Sequence, residues 1–173
     1  MKKSLLALAA LTAFAGVASA QSSVTLFGIV DAAARNTKNG SAGSYNSLVS
    51  GGGATSRLGF RGIEDLGGGL RAGFWLEGQV DTDTGGTGFN FQRRATVSLI
   101  GGFGELRLGR DFTPTYTNWG AADVWGYVGV ATTANVRGGY LGQGSIGTAV
   151  RTNNQIIYIL PAMGGLSGQI NVG

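Results

Sequence analysis

Leu70-Arg-Ala-Gly-Phe-Trp-Leu-Glu-Gly-Gln-Val80 alternates residue by residue. Leu70, Ala72, Phe74, Leu76 and Val80 form one set; Arg71, Gly73, Trp75, Glu77 and Gln79 form the other. A period of two puts the sets on opposite faces of a strand. The same period runs outward in both directions. Val24, Leu26, Gly28 and Val30 alternate with Thr25, Phe27, Ile29 and Asp31; Leu58 and Phe60 alternate with Arg57, Gly59 and Arg61. Downstream, Ala95, Val97 and Leu99 alternate with Arg94, Thr96 and Ser98, and Leu106 and Leu108 with Glu105, Arg107 and Gly109. Thr152, Ile156, Tyr158 and Leu160 alternate with Arg151, Asn153 and Gln155; Leu166, Ile170 and Val172 alternate with Ser167, Gln169 and Asn171.

Composition agrees with strands and turns. The 173 residues include 33 glycines, and an interior glycine costs a helix about 1 kcal/mol relative to alanine. Proline is scarce and 43% of residues are hydrophobic, which excludes collagen and Pro/Gly-rich disorder. There is no Cys and no His, so thiolate and imidazole metal sites and His-based triads are excluded.

Residues 1–20 read as a secretory signal peptide. Lys2 and Lys3 precede an apolar run from Leu5 to Val17, and Ala18-Ser19-Ala20 supplies an A-x-A-like cleavage site. Cleavage after Ala20 removes two lysines, leaving 11 of the 13 basic residues against 9 acidic ones. That excess is too small to argue for nucleic acid. No later run is long and apolar enough for a transmembrane helix.

One face of each strand is apolar and the other carries charge. Alternation alone fits a soluble β protein or a membrane barrel. About ten residues at ~3.3 Å each, tilted near 45°, cover roughly 24 Å of bilayer. The connections discriminate further. Tight turns at 65–69, 101–104 and 161–165 alternate with long connections at 36–55, 81–90 and 113–150. A meander that crosses a membrane repeatedly has this asymmetry. The expected fold is therefore an all-β transmembrane antiparallel barrel.

The ordered motifs resemble those of Gram-negative general porins. Ser22-Ser-Val-Thr-Leu-Phe-Gly-Ile-Val-Asp31 resembles the first strand of that family. Ser56-Arg-Leu-Gly-Phe-Arg-Gly62 with Glu64-Asp-Leu-Gly-Gly-Gly-Leu70 resembles its second strand and first periplasmic turn. Phe74-Trp-Leu-Glu77, Arg93-Arg-Ala-Thr-Val-Ser-Leu99, Gly104-Glu-Leu-Arg-Leu-Gly-Arg110 and Arg151-Thr-Asn-Asn-Gln-Ile-Ile-Tyr158 continue the series. The resemblance implies a sixteen-stranded outer-membrane barrel, usually a homotrimer, passing small hydrophilic solutes and inorganic ions. About seven strands are present and no C-terminal aromatic is found, so residues 21–173 read as the N-terminal part of such a barrel.

The long connection at 113–150 holds Tyr116, Trp119, Trp125, Tyr127 and Tyr140 among many glycines. Its ordinal position implies the loop that folds into a porin barrel and narrows it. Parity puts Arg57, Arg61, Arg71, Arg94 and Arg151 on the polar face. The resemblance implies that Arg57, Arg94 and Arg151 face acidic residues of that loop, with Asp123 the first candidate and Asp111 the second. Opposite charges across a wet neck with low-dielectric walls make a transverse field. Three arginines against one loop carboxylate predict mild anion preference. Glu77 and Asp31 are alternative partners for the wall arginines. Arg93 has outward parity and is assigned to the barrel rim. Ile157 and Ile159 fall on the polar side, where the strand end is expected to pack against the loop.

Other chemistry finds little support. Lysine occurs only at 2, 3 and 38, so there is no Walker A loop. Asp81-Thr-Asp83-Thr-Gly85 resembles half a calcium loop, but its twelfth position is Gln92, so no cofactor or metal is assigned. No carboxylate pair suggests acid–base roles, and an enzyme is not expected. Passive diffusion through an outer-membrane pore is the leading function. A non-conducting surface antigen or adhesion barrel, a non-functional truncated porin, and a soluble periplasmic β protein stay open as alternatives.

Overall fold

The computed structural model describes residues 23–86, 88–128, 132–133 and 150–173. The signal segment, Tyr140 and most of 129–149 lie outside the described residues. The elements are β1 (Ser23–Ile29), β2 (Ala32–Lys38), a 3-10 turn (Gly40–Ala42), β3 (Ser44–Ser50), β4 (Arg57–Gly67) and β5 (Leu70–Gln79). They continue with β6 (Arg94–Gly101), β7 (Gly104–Phe112), α1 (Pro114–Ala122), β8 (Arg151–Ile159) and β9 (Gln169–Val172). Seven strands form one antiparallel sheet in the order β1-β4-β5-β6-β7-β8-β9, a meander in which each strand pairs with the next. Among the described residues, no helix is long and apolar enough to cross a membrane.

The long connection at 36–55 is not a plain loop. A separate hairpin of β2 on β3 begins ahead of it at Ala32 and runs to Ser50, with Ala32 opposite Ser50 and Lys38 opposite Ser44. Its strands AAARNTK and SYNSLVS lack the apolar alternation that marks the other seven, because neither face is covered. At the opposite end of the sheet the turns are short. Gly67, Gly68 and Gly69 take φ of +83°, +62° and +81°, a backbone course that only glycine follows without strain. The Asp65 carboxylate accepts the Gly67 amide at 2.8 Å and closes that turn.

Across the middle of the sheet the alternation is realised in the register. Phe60 lies between Leu26 and Leu76, and Val97 between Phe74 and Leu108, so apolar residues form rows across one face. Among the described residues that face has no protein cover: Leu26 is 62% exposed and Val97 57%. Aromatic side chains flank it. Phe60, Phe89 and Phe91 pack edge to face toward the long-connection end. At the short-turn end Tyr158 donates to the Phe103 carbonyl at 2.6 Å. An apolar band between aromatic girdles is the outer surface of a membrane barrel. The single buried hydrophobic among the described residues, Ile157, is 1% exposed and sits on the polar face. It is the register partner of Arg107 and Asn171, while α1 passes close to β9. The arrangement is the inverse of a water-soluble core, and the soluble reading has no physical basis in it.

Candidate functional site

Arg57, Arg94 and Arg151 each open a strand, β4, β6 and β8, and all three lie at the long-connection end. Two adjoining hollows form there. One of about 350 Å³ is lined by Phe27, Arg57, Trp75, Glu77, Arg93, Arg94, Asp111 and Phe112. The other, about 380 Å³, has Arg57, Arg93 and Arg151 on the strand side and Tyr116, Thr117 and Tyr127 on the connection side. The start of the long connection therefore turns back over the polar face.

Arg61, Arg94, Arg107 and Arg151 are held by their neighbours. Arg94 lies over the Trp75 ring at 4.6 Å, and Arg61 approaches the same ring at 5.2 Å and Phe27 at 5.5 Å. Such stacking immobilises a guanidinium without neutralising it. Arg94 Nε also lies 3.3 Å from Asp111, whose other ion pair is with Arg107 at 2.8 Å. Arg107 reaches Glu105 as well, at 2.8 Å, and Ser98 donates to Glu105. Asp111 is 4% exposed, so its charge is spent within this cluster. Arg151 stacks on Phe112 at 4.2 Å and donates from Nε to the Arg93 carbonyl at 2.6 Å. The strict alternation that assigns Arg151 to the polar face is broken by a register shift between Gly109 and Asp111. Its side chain reaches the hollow by lying on Phe112.

Arg93 corrects the assignment from parity. It is 9% exposed, and Nε pairs with Glu77 Oε1 at 2.6 Å. The cause is local. Arg94 is the register partner of Glu77, yet the Arg93 amide also donates to the Glu77 carbonyl at 3.0 Å. Two consecutive residues address one partner, the arrangement of a β-bulge, and both side chains are delivered to one side. Glu77 thus does pair with a wall arginine, and it also accepts from Trp75 Nε1 at 3.1 Å.

Asp31 pairs with no arginine among the described residues. Its carboxylate accepts the amides of Gly52, Gly53 and Ala54 at 3.1, 2.8 and 2.7 Å. Those bonds, Gly53 foremost and then Ala54, hold its pKa below the ordinary value against an opposing effect of burial. Asp123 is likewise occupied inside the long connection. Oδ2 accepts from Thr132 Oγ1, Thr133 Oγ1 and Thr133 N; Oδ1 accepts from Trp125 N. The Thr133 hydroxyl leads in lowering its pKa to about 2, with burial opposing. No arginine touches it among the described residues. Arg71 lies apart, opposite Asp65 beside the Gly67–Gly69 turn. Trp119 and Trp125 are exposed, whereas Tyr116 and Tyr127 stack.

On the polar face, Arg57, Arg61, Arg93, Arg94, Arg107 and Arg151 gather around Glu77, Glu105 and Asp111. Arg93, Arg94 and Arg107 have carboxylate partners; Arg57, Arg61 and Arg151 have none among the described residues. The half-buried wall therefore carries an excess of fixed positive charge.

The chain is similar to known proteins in sequence and in fold. A family model described as Gram-negative porin matches residues 7–173. The outer membrane porin protein 32 of Delftia acidovorans is 52% identical over 169 residues, covering 96% of this chain and 48% of the relative. An outer membrane porin protein of Bordetella pertussis is 35% identical over 191 residues, covering 100% and 48%. The solved anion-selective porin from Comamonas acidovorans superposes with a TM-score of 0.78 at 47% identity, over 87% of this chain and 46% of that one. The chain spans about half the length of the curated relatives it matches.

Proposed function

Because the chain belongs to the Gram-negative porin family, we propose that it forms part of the wall and neck of an outer-membrane pore through which small hydrophilic solutes and ions diffuse passively, with anions favoured. The observation that carries this reading is the excess of polar-face arginine with no carboxylate partner among the described residues: Arg57 and Arg151 line the two hollows, and Arg61 lines a third one farther along the wall. Low-dielectric walls strengthen the field of such charges on a passing ion. Residues 113–150 act as the inward loop that narrows the passage. Asp111 tempers Arg94 and Arg107 by contact. Asp123 serves first to hold the loop, and its charge offsets the arginines only at a distance. The barrel is a homotrimer, exported through the cleaved segment 1–20.

The geometry fits a channel wall, with fixed charge lining hollows beside the start of the long connection. Planar-bilayer reconstitution of protein purified from outer membranes tests the proposal. Stepwise conductance with an anion-to-cation permeability ratio above unity is the expected result. Membrane insertion without conductance supports the adhesion-barrel alternative and overturns the proposal. Cross-linking of the purified protein to a trimer, against a monomer or dimer, tests the assembly.

A further inference from the structure

We infer that a continuous column of stacked side chains, Arg151–Phe112–Tyr116–Tyr127, sets the distance between the long connection and the strand wall, and through it the largest solute that passes. The inference rests on the pore reading above and adds to it a set of size-determining residues. The guanidinium carbon of Arg151 lies 4.2 Å from the Phe112 ring centre. Phe112 and Tyr116 stack at 4.7 Å with 17° between planes, and Tyr116 and Tyr127 at 4.1 Å with 12°. Four groups from three parts of the chain thus form one unbroken series of contacts.

Both ends of the column are fixed. At its base Phe112 and Arg151 are cross-strand register partners in β7 and β8, and Arg151 is further held by the Arg93 carbonyl. In the middle, Thr113 caps α1 by accepting the Tyr116 amide, so Tyr116 stands one helical turn beyond the end of β7. At its tip the Tyr127 hydroxyl donates to the Tyr116 carbonyl. Tyr127 is held at φ +64°, a strained value for a bulky residue. Its ring occupies the space a side chain at position 120 would need: a Cβ on Gly120 would lie 2.5 Å from Tyr127. The column contains no carboxylate, and arginine stays charged at any working pH. The contacts of the column are therefore independent of carboxylate protonation, while Asp123 anchors the connection separately through Thr132 and Thr133. Phe112, Tyr116 and Tyr127 are positioning residues in this scheme, not ion ligands.

Each stacked pair is worth roughly a 2- to 12-fold bias toward the docked loop. Tyr116 makes two such contacts, so Tyr116→Ala reduces the docked-to-displaced ratio by roughly 5- to 150-fold. The chain has no cysteine, so a labelling pair can be introduced without background. Ala54→Cys and Thr117→Cys place spin labels on the two sides of one hollow. In the detergent-folded protein the label-to-label distance is expected to be narrowly distributed, and to remain so with Tyr116→Phe, which keeps the ring. Tyr116→Ala is expected to broaden it, as is Phe112→Leu, which keeps apolar volume but no ring face and guards against a misfolded alanine variant. Liposome swelling with polyethylene glycols of graded size should show a larger cut-off for the same two variants. An unchanged distance distribution overturns the column. A broadened distribution with an unchanged cut-off overturns its control of solute size. A wild-type protein that passes no solute defeats the pore reading and the size role with it, while the label distances still decide the column.

Discussion

Replacing Arg57 by glutamine removes one positive charge from the wall without breaking an ion pair, since no carboxylate contacts it among the described residues. Arg57 lines both hollows, so a permeating ion passes close to it. At a separation of about 8 Å in water, a unit charge acts on an ion with ~0.5 kcal/mol, which screening at 0.1 M salt reduces to ~0.2 kcal/mol. Attraction for anions and repulsion of cations change together. Arg57→Gln should therefore lower the anion-to-cation permeability ratio about 2-fold, or about 5-fold if low-dielectric walls halve the effective constant. The assay is the reversal potential across a planar bilayer under a salt gradient, with about 0.1 M on the dilute side. At about 1 M, where screening acts over ~3 Å, the change in the ratio should shrink to roughly 10–30%. An unchanged reversal potential at low salt refutes the placement of Arg57 in the ion path. A shift that persists at high salt refutes the electrostatic cause.

Glu77→Gln leaves the Arg93 guanidinium, 10% exposed, without its carboxylate. Breaking such a pair costs about 3 kcal/mol, so the temperature at which the folded band disappears on detergent gels should fall; an unmoved transition counts against a structural ion pair. Val97 and Ser98 are adjacent on opposite faces. Val97→Arg should impair assembly by about 2–4 kcal/mol if it meets lipid near the midplane, whereas Ser98→Arg should assemble and alter conductance; equal assembly yields would contradict the lipid-facing assignment. Asp123 titrates at about 2, below its ordinary 3.8, so its contribution is complete above the ordinary value and is lost as pH falls through about 2. The spacing of labels at positions 54 and 117 should accordingly stay constant from neutral pH to about 4 and broaden only below that. Broadening already near neutrality would refute the anchoring role.

Alternation was readable because lipid and water act on every second residue, and the seven sheet strands carry that mark from Val24 to Val172. The hairpin β2–β3 carries none, since both its faces meet solvent, and so it was legible only as a long connection. The arginines at 57 and 94 and their face followed from counting; their partners did not. Asp31 was misjudged because a carboxylate bound by three amides is fixed by loop backbone, which composition does not reveal. The column of rings was equally hidden, as it joins residues separated by a connection whose path no local signal encodes. Arg93 is more instructive, because a signal was present. In a regular strand the doublet Arg93-Arg94 would send one guanidinium toward lipid, at a cost that falls only near the interface. Two adjacent arginines at the mouth of a lipid-facing strand therefore predict a bulge, which lets both turn to the wet side. Arg110 marks the limit of that rule: it stands opposite outward-facing Ala95, yet it lies at a strand end, where the Gln92 carbonyl and Asn153 side chain accept its protons at 2.6 Å. An outward arginine is tolerated where polar groups at the rim can meet it. Arg93 has the Glu77 carboxylate within reach on the inner side, and the backbone bends to use it.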